Sequence, residues 1–293
     1  MNYSAAWLIL LLYLAFAFQP FQDLIRGLIK KIGDWTVGFL LIPYLLATNF
    51  QPIWGEFVRI IIFLAIPTLL LHIRPKNAKP FDLFQVLAML AIWFPIEPSL
   101  FLLLLDVITF GKILPPQAIN MLFLPEVDAT FIPGFSLPIP TLIAVCLALY
   151  LFFIRYPLDG IVFSFKITRK DLINASLGLT FYSLVGLPIG LGLGFLQFNP
   201  TRPSLLELMG SILAGYLFVA LIEEILFRGV IQNLITERLR NRNVALIIAS
   251  VIFGFAHLNN ATQGFPVPNW SYVIMATLAG LAYGWVWRRS GKV

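Results

Sequence analysis

Charged residues are scarce in this chain: they make up 12% of its 293 residues, whereas 59% are hydrophobic. This balance excludes an ordinary soluble domain, in which about a quarter of the residues are charged. Apolar runs that approach the roughly 20 residues needed to cross a bilayer recur along the whole chain. The sequence therefore predicts a protein whose solvent, and first partner, is the lipid bilayer.

Cysteine and histidine are scarce as well. The single cysteine, Cys146, lies inside an apolar run, so neither an intramolecular disulfide nor a cysteine-based metal site can form. Of the two histidines, His72 is expected at the cytosolic end of a span beside Arg74, in an interfacial role. His257 is therefore the histidine available for chemistry within the membrane.

Alternating polarity is missing too. A transmembrane barrel needs segments of about ten residues that alternate between apolar and polar. Runs such as LFLLLL at 100–105 and ALIIASVIFGFA at 245–256 do not alternate. Because α-helices are the other structure that satisfies the backbone in lipid, the predicted fold class is all-α, a polytopic bundle of transmembrane helices.

The hydropathy pattern predicts about nine spans, some of them short and interrupted by proline. Lysine and arginine concentrate in alternate loops and at the C-terminal end, which by the positive-inside rule places the N-terminus outside and the C-terminus in the cytosol. The same distribution explains the net charge of +6 without a nucleic-acid partner. Short cytosolic loops indicate a multi-pass protein of a prokaryotic cell membrane. The spans are expected at about 4–20, 35–50, 57–73, 82–105, 140–155, 172–197, 205–228, 244–258 and 271–287.

A soft boundary near residue 160 divides the chain into two predicted regions. Residues 1–159 form an N-terminal transmembrane region of unknown role, with few charges inside its spans. Residues 160–293 hold every ionisable group that suggests chemistry. The connection 106–140, rich in proline and aromatic residues, is expected to be a re-entrant or surface-lying segment on the outer side.

Three ionisable residues lie inside the apolar stretch ALIEEILFRGV at 220–230. Each charge near the middle of a bilayer costs about 2.5–3.5 kcal/mol, so Glu223, Glu224 and Arg228 need a compensating reason. Glu224 and Arg228 are spaced i,i+4, which predicts a structural ion pair on one helical face. Glu223 is rotated from Glu224 by about 100° and faces a different neighbour.

That neighbour is predicted to be His257. If the helix continues and turns near Asn241, Glu223 lies 18 residues before the turn and His257 lies 16 residues after it. At about 1.5 Å per residue the two side chains reach the same depth in a helical hairpin. A carboxylate and an imidazole can activate water, which points to hydrolysis. A zinc cofactor held by Glu223 and His257 would need a further ligand, since catalytic zinc usually has three.

Two motifs carry a family resemblance: EEILFR at 223–228 fits E-E-x-x-x-R, and FGFAH at 253–257 fits F-x-x-x-H. Over residues 160–293 the sequence resembles the CPBP family, the CAAX proteases and bacteriocin-processing enzymes, also called the type II CAAX prenyl endopeptidase or Abi family. The resemblance implies that Glu223 and His257 activate the hydrolytic water. It also implies that Glu224 and Arg228 brace the helix and that Phe253 shapes the site.

The family's third motif, H-x-x-x-N or a variant, normally lies in the next helix and completes the site. No histidine follows His257, and the sequence ends at RRSGKV, where that helix would begin. The expectation is therefore a shortened product or a fragment that lacks the last motif helix. Asn259 and Asn260 could replace that motif only in part, and Asn269 less well.

Three functions follow as hypotheses. The first is an intramembrane metallo- or glutamate-dependent endopeptidase that cleaves a membrane-associated peptide or protein. The second is a catalytically impaired membrane scaffold or immunity-type protein of the same family. The third is a small-solute transporter or channel that uses Glu223 as a proton relay, although the two halves show no inverted repeat and no paired broken helices.

Overall fold

The computed structural model describes residues 3–109, 124–132, 135–198 and 203–292. It is mostly helical, which confirms a helical membrane-type fold. The chain forms two compact units, Met1–Asp159 and Gly160–Val293. What each unit does stays a prediction.

The first unit is built around one buried helix. All residues of Ile139–Leu149 except Thr141 are buried, Cys146 among them. A helix that is apolar on every face is stable only inside such a core. The elements of this unit are α1 (Tyr3–Ala15), α2 (Gln19–Ile32), a 3₁₀ turn (Gly33–Leu40), α3 (Leu41–Ala47), α4 (Trp54–His72), α5 (Leu83–Trp93), α6 (Pro98–Thr109), β1 (Asp128–Ile132), β2 (Phe135–Pro138) and α7 (Ile139–Arg155, π-helical from Tyr150).

An antiparallel hairpin of β1 and β2 lies among the helices of the first unit. Asp128 pairs with Pro138 and Ala129 with Leu137, and the register shifts between Thr130 and Ile132. Residues 133–134, between the two strands, lie outside the described residues. The hairpin occupies part of the connection 106–140; residues 110–123 of that connection lie outside the described residues.

Asp34 ties together the ends of three elements of the first unit. Its Oδ1 accepts a hydrogen bond from Arg155 Nε at 2.5 Å, and its Oδ2 accepts one from His72 Nδ1 at 2.6 Å. The side chains of Arg155 and Asp34 are 27% and 21% exposed. This partly buried cluster joins the 3₁₀ turn to the C-terminal ends of α4 and α7.

We expect Asp34→Asn to lower the free energy of unfolding by about 1–2 kcal/mol, because hydrogen bonds to charged groups contribute about 1.5–3 kcal/mol and partial exposure weakens them. Thermal unfolding of the detergent-purified protein measures this change. Asp23→Asn is the control, since Asp23 pairs with Arg26 on an exposed surface. Equal shifts for the two variants would argue against a special role for Asp34.

The second unit contains four long helices, and capping side chains begin each of them. The Thr168–Asp171 and Ser204–Glu207 pairs form reciprocal capping boxes. Asn241 and Asn269 cap the other two N-termini. The helices are α8 (Arg169–Gly192), α9 (Leu205–Leu239), α10 (Arg242–Phe255) and α11 (Trp270–Ser290).

The predicted hairpin between α9 and α10 is present. Helix α9 ends at Leu239, Arg240 adopts a left-handed conformation with φ 53°, and Asn241 caps α10. The turn therefore lies near Asn241, the position from which Glu223 and His257 are predicted to reach the same depth.

Helix α11 packs against both α8 and α10 through small residues. A Cβ atom at Gly254 would lie 2.7 Å from the carbonyl oxygen of Val273, and one at Gly280 would lie 3.0 Å from Ser250 Cα. Small residues allow membrane helices to approach closely. The fully buried Gln232 of α9 also donates a hydrogen bond to the Gly284 carbonyl at 3.1 Å. These contacts hold α9, α10 and α11 in one arrangement.

Within the described residues, α4, α8 and α9 are long and apolar enough to cross a membrane. A fourth span results if Tyr3–Ala15 and Gln19–Ala47, bent by 96°, count as one. The predicted span 82–105 is instead two helices, because the sequence FPIEP between them contains two prolines. The count of nine spans and their orientation stay predictions.

Candidate active site

The paired glutamates lie where the backbone of α9 changes its winding. Glu223 ends the α-helical turn Leu221–Glu223, and Glu224 begins a π-helical segment that runs to Gln232. Such π-helical turns are rare and frequently mark functional sites. The motif therefore lies on a locally widened helix, which the i,i+4 argument did not anticipate.

Glu224 and Arg228 form the expected ion pair across this widened turn. Arg228 Nε lies 3.4 Å from Glu224 Oε1, and the two side chains are 2% and 26% exposed. Neither Nη1 nor Nη2 of Arg228 has a hydrogen-bond acceptor within the described part of the chain. The free-energy cost of burying this guanidinium is therefore offset by the Glu224 carboxylate and by aromatic rings.

Phe253 of α10 supplies the first of those rings. The Arg228 guanidinium carbon lies 4.4 Å from the centroid of Phe253 and 5.4 Å from that of Tyr283. A cation over an aromatic face is attracted by the ring quadrupole. The centroid of Phe253 is also 4.8 Å from that of His257. The Phe253 ring thus lies next to both the Arg228 guanidinium and the His257 imidazole.

His257 follows the C-terminal end of α10 and has a defined orientation. Its Nδ1 lies 2.8 Å from the carbonyl oxygen of Phe253. A carbonyl oxygen only accepts, so Nδ1 carries the hydrogen and donates it. In the neutral imidazole Nε2 is then an acceptor, and it lies 3.7 Å from Glu223 Oε1.

A water molecule beside Glu223 and His257 can bridge the two side chains. A separation of 3.7 Å is longer than a direct hydrogen bond, and a carboxylate and a neutral Nε2 are both acceptors. Water has two O–H donors and can satisfy both. The side chains are 28% and 12% exposed, so the carboxylate is accessible. The structure brings together the two residues that the sequence singles out as the water-activating pair.

Part of the chain matches a known protein family. Residues 205–293 match the family model described as "Type II CAAX prenyl endopeptidase Rce1-like". Residues 205–293 are therefore similar to this family, and we call them the Rce1-like domain. The match spans α9, α10 and α11 and so includes both motifs, whereas the resemblance was expected to begin near residue 160. No curated protein and no solved structure matches the chain.

Tyr272 is a residue of the Rce1-like domain that sequence reasoning missed. It lies in the first turn of α11, and its ring centroid is 4.8 Å from that of His257. Its hydroxyl lies within reach of the Asn260 side chain. A signal was available, because Tyr272 and Tyr283 are separated by 11 residues, about three helical turns, and so share a face of α11.

Asn269 has a structural task in the Rce1-like domain. Its side chain is almost fully buried, and its Nδ2 donates to the Asn260 carbonyl at 2.9 Å and to Thr262 Oγ1 at 3.2 Å. Its Oδ1 accepts a hydrogen bond from the backbone N–H of Tyr272 at 3.0 Å. Asn269 thereby closes the loop between α10 and α11 and positions Tyr272.

The side chains present do not fit a zinc ion. Within the described residues no group of three or more His, Cys, Asp or Glu side chains could hold a metal. Glu223 and His257 are two donors, whereas catalytic zinc usually has three protein ligands. The zinc cofactor stays a prediction, and no chemistry of the Rce1-like domain is derived through it.

Proposed function

We propose that this protein is an intramembrane endopeptidase of the CAAX-protease type. Its substrate is a membrane-associated peptide or protein. The observation that carries the proposal is the 3.7 Å approach of Glu223 Oε1 and His257 Nε2 inside a domain that matches a protease family.

The proposed reaction begins with water held between the two acceptors. Glu223 takes one proton from the water as the water oxygen attacks the peptide carbonyl carbon. The electron pair of the C=O double bond then moves onto the carbonyl oxygen. The tetrahedral oxyanion then collapses, the C–N bond breaks, and Glu223 returns the proton to the leaving nitrogen. The immediate products are a carboxylic acid and an amine, and transfer of the acid proton to the amine gives a carboxylate and an ammonium group.

In this proposal His257 orients the water and does not need to change tautomer. The Phe253 carbonyl holds Nδ1–H, so Nε2 remains the acceptor of the second water hydrogen. Glu224, Arg228 and Phe253 do not touch the reacting atoms. They fix the position of Glu223 on α9 relative to His257 at the end of α10.

The membrane setting is part of the proposal. A multi-pass protein of a prokaryotic cell membrane, with about nine spans, its N-terminus outside and its C-terminus in the cytosol, agrees with the alternation of basic loops. Helices α4, α8 and α9 supply spans of sufficient length. In this orientation the turn at Arg240 and the end of α11 face the cytosol.

The direct test is peptide cleavage by the full chain in liposomes. A library of peptides that carry a membrane anchor is incubated with the protein, and mass spectrometry identifies any cleaved bond. We expect cleavage by the unaltered protein and its loss in His257→Asn. His72→Asn is the matched control, because His72 lies in the first unit; since His72 also bonds Asp34, its turnover is compared per amount of folded protein. The proposal fails if the unaltered protein cleaves nothing or if the His257 variant cleaves equally well.

A non-catalytic membrane scaffold or immunity-type protein is the second candidate. The Glu224–Arg228–Phe253 contacts favour it, because they stabilise the packing of α9 against α10 whether or not a reaction occurs. Stable association with a membrane peptide without any cleavage, unchanged in His257→Asn, would support this candidate over the protease.

Tyr272 is expected to act as a positioning residue for His257. Tyr272→Ala removes the ring that contacts the imidazole and should lower kcat about tenfold or more, because small displacements of a catalytic group are costly. Tyr272→Phe retains the ring and should remain within about threefold of the unaltered protein. A large loss of kcat in Tyr272→Phe would instead assign the hydroxyl a direct role, such as stabilising the oxyanion.

A further inference from the structure

We propose that a small polar cavity of the second unit binds the phosphate group of an anionic phospholipid. The cavity has a volume of about 150 Å³ and lies apart from the Glu223 and His257 pair. Its wall includes Asn233 and Thr236 of α9, Arg242 of α10, and Trp287 and Arg288 of α11.

Three chain segments that are distant in sequence build this phosphate cavity. The end of α9, the start of α10 and the end of α11 converge on it. Arg288 Nη1 donates to Asn243 Oδ1 at 2.9 Å and to the Arg242 carbonyl at 3.4 Å. The Arg288 guanidinium is therefore fixed against the first turn of α10 and not left to move in solvent.

The two arginines of the phosphate cavity differ from the buried and partly buried cations that pair with carboxylates. Arg74, Arg155, Arg228 and Lys292 each pair with a carboxylate. Within the part of the chain that the structure describes, neither Arg242 nor Arg288 makes such a pair. Two guanidinium groups without a carboxylate are suited to a phosphate, whose oxygens accept several charge-assisted hydrogen bonds.

Trp287, which lines the cavity, carries a buried donor without a partner in the described part of the chain. Trp287 is 7% exposed, and its indole Nε1–H has no acceptor among the described residues. A buried N–H without a partner costs about 1–3 kcal/mol, which an anionic oxygen would offset. The first N–H groups of α10 are already bound by the Asn241 side chain, so the arginines and the indole carry the site.

The surroundings of the cavity favour a lipid over free phosphate as its source. Lys292 Nζ bonds the Lys166 carbonyl at 3.0 Å and Asp171 Oδ2 at 2.8 Å, which brings the end of α11 to the start of α8. The C-terminal end of the spanning helix α9 lies at the phosphate cavity itself. Basic residues next to a membrane surface attract anionic lipids by about 1 kcal/mol each. The segments that meet here supply Lys166, Arg169, Lys170, Arg238, Arg240, Arg242, Arg288, Arg289 and Lys292.

The test compares three probes on the full chain in detergent: short-chain phosphatidylglycerol, short-chain phosphatidylcholine and inorganic phosphate. Binding is followed by microscale thermophoresis at one fixed ionic strength. We expect phosphatidylglycerol to bind at least tenfold more tightly than either of the other two. Equal binding of inorganic phosphate would overturn the lipid as the source, and equal binding of phosphatidylcholine would overturn recognition of an anion.

Variants separate this cavity from a diffuse basic surface. The double variant Arg242→Gln/Arg288→Gln should weaken phosphatidylglycerol binding at least tenfold. Arg289→Gln, at a neighbouring cation that stacks on Trp285 outside the cavity, should change it less than twofold. An equal loss in Arg289→Gln would contradict the proposal.

A more conservative variant decides the matter if the double variant does not fold. Trp287→Phe keeps an aromatic ring in the wall and removes only the indole N–H. We expect it to weaken phosphatidylglycerol binding severalfold while leaving the elution volume and the thermal midpoint of the lipid-free protein unchanged. Unchanged phosphatidylglycerol binding in Trp287→Phe would by itself show that the cavity is not the site.

Discussion

Glu223→Gln is expected to reduce peptide hydrolysis by about 10³-fold, because general-base catalysis typically contributes 10²–10⁴-fold. The amide has nearly the same shape as the carboxylate, but it cannot accept the proton of the attacking water. Since Glu223 is 28% exposed and makes no ion pair with Arg228, the substitution should leave folding intact. The fall should appear in kcat, with little change in KM.

The matched control for this experiment is Glu207→Gln on the same helix. Glu207 caps the N-terminus of α9 through Ser204, and glutamine can fill the same position of a capping box. Cleavage rates are measured by mass spectrometry on the peptide identified in the liposome assay. Residual activity of Glu223→Gln within tenfold of the unaltered protein would remove Glu223 from the role of general base.

Arg228→Met is expected to have the largest effect on stability, about 3 kcal/mol, since breaking a buried ion pair from one side leaves the other charge unpaired. Arg228 is 2% exposed and also contacts the rings of Phe253 and Tyr283. Methionine fills a similar volume, so the loss reports on the charge more than on packing. Thermal and denaturant unfolding in detergent give the free-energy change.

A double variant tests whether Glu224 is the partner that matters. Glu224→Gln/Arg228→Met removes both charges and should recover at least half of the stability lost in Arg228→Met. Arg26→Met serves as the surface control, because Arg26 is 41% exposed in its pair with Asp23 and should change stability little. Strictly additive losses in the double variant would mean that the two residues do not brace each other.

These two experiments separate the two glutamates, which are adjacent in sequence but differ in surroundings. Glu223 faces His257, whereas Glu224 faces Arg228. Loss of activity without loss of stability is expected at Glu223. Loss of stability, with activity reduced only as folding is lost, is expected at Arg228. The opposite assignment would favour the scaffold over the protease.

Several features depend on short-range patterns and could therefore be predicted from the sequence. Hydropathy indicates a helical membrane protein because lipid leaves few other ways to satisfy the backbone. The i,i+4 spacing of Glu224 and Arg228 predicts their pair, and counting residues from Asn241 predicts that Glu223 and His257 reach the same depth. Each of these arguments uses helix geometry alone, which is the same in every helix.

Other features depend on contacts between segments far apart in the chain. The approach of Tyr272 to His257 requires α11 to pack on α10 at Gly254 and Gly280, and the meeting of Arg288 with Asn243 requires the same packing. No local pattern encodes these contacts, because they depend on how closely the helices approach. The π-helical winding after Glu223 and the hairpin of β1 and β2 were not anticipated either.

The sequence by itself thus determined the membrane class, the two motifs and the pairing of Glu223 with His257 along a helical hairpin. Only the tertiary structure decided which rings surround that pair, how the buried guanidinium of Arg228 is compensated, and where Arg242 and Arg288 come together at one cavity. The reason is physical: local spacing sets which residues share a helical face, whereas packing between helices sets which faces meet.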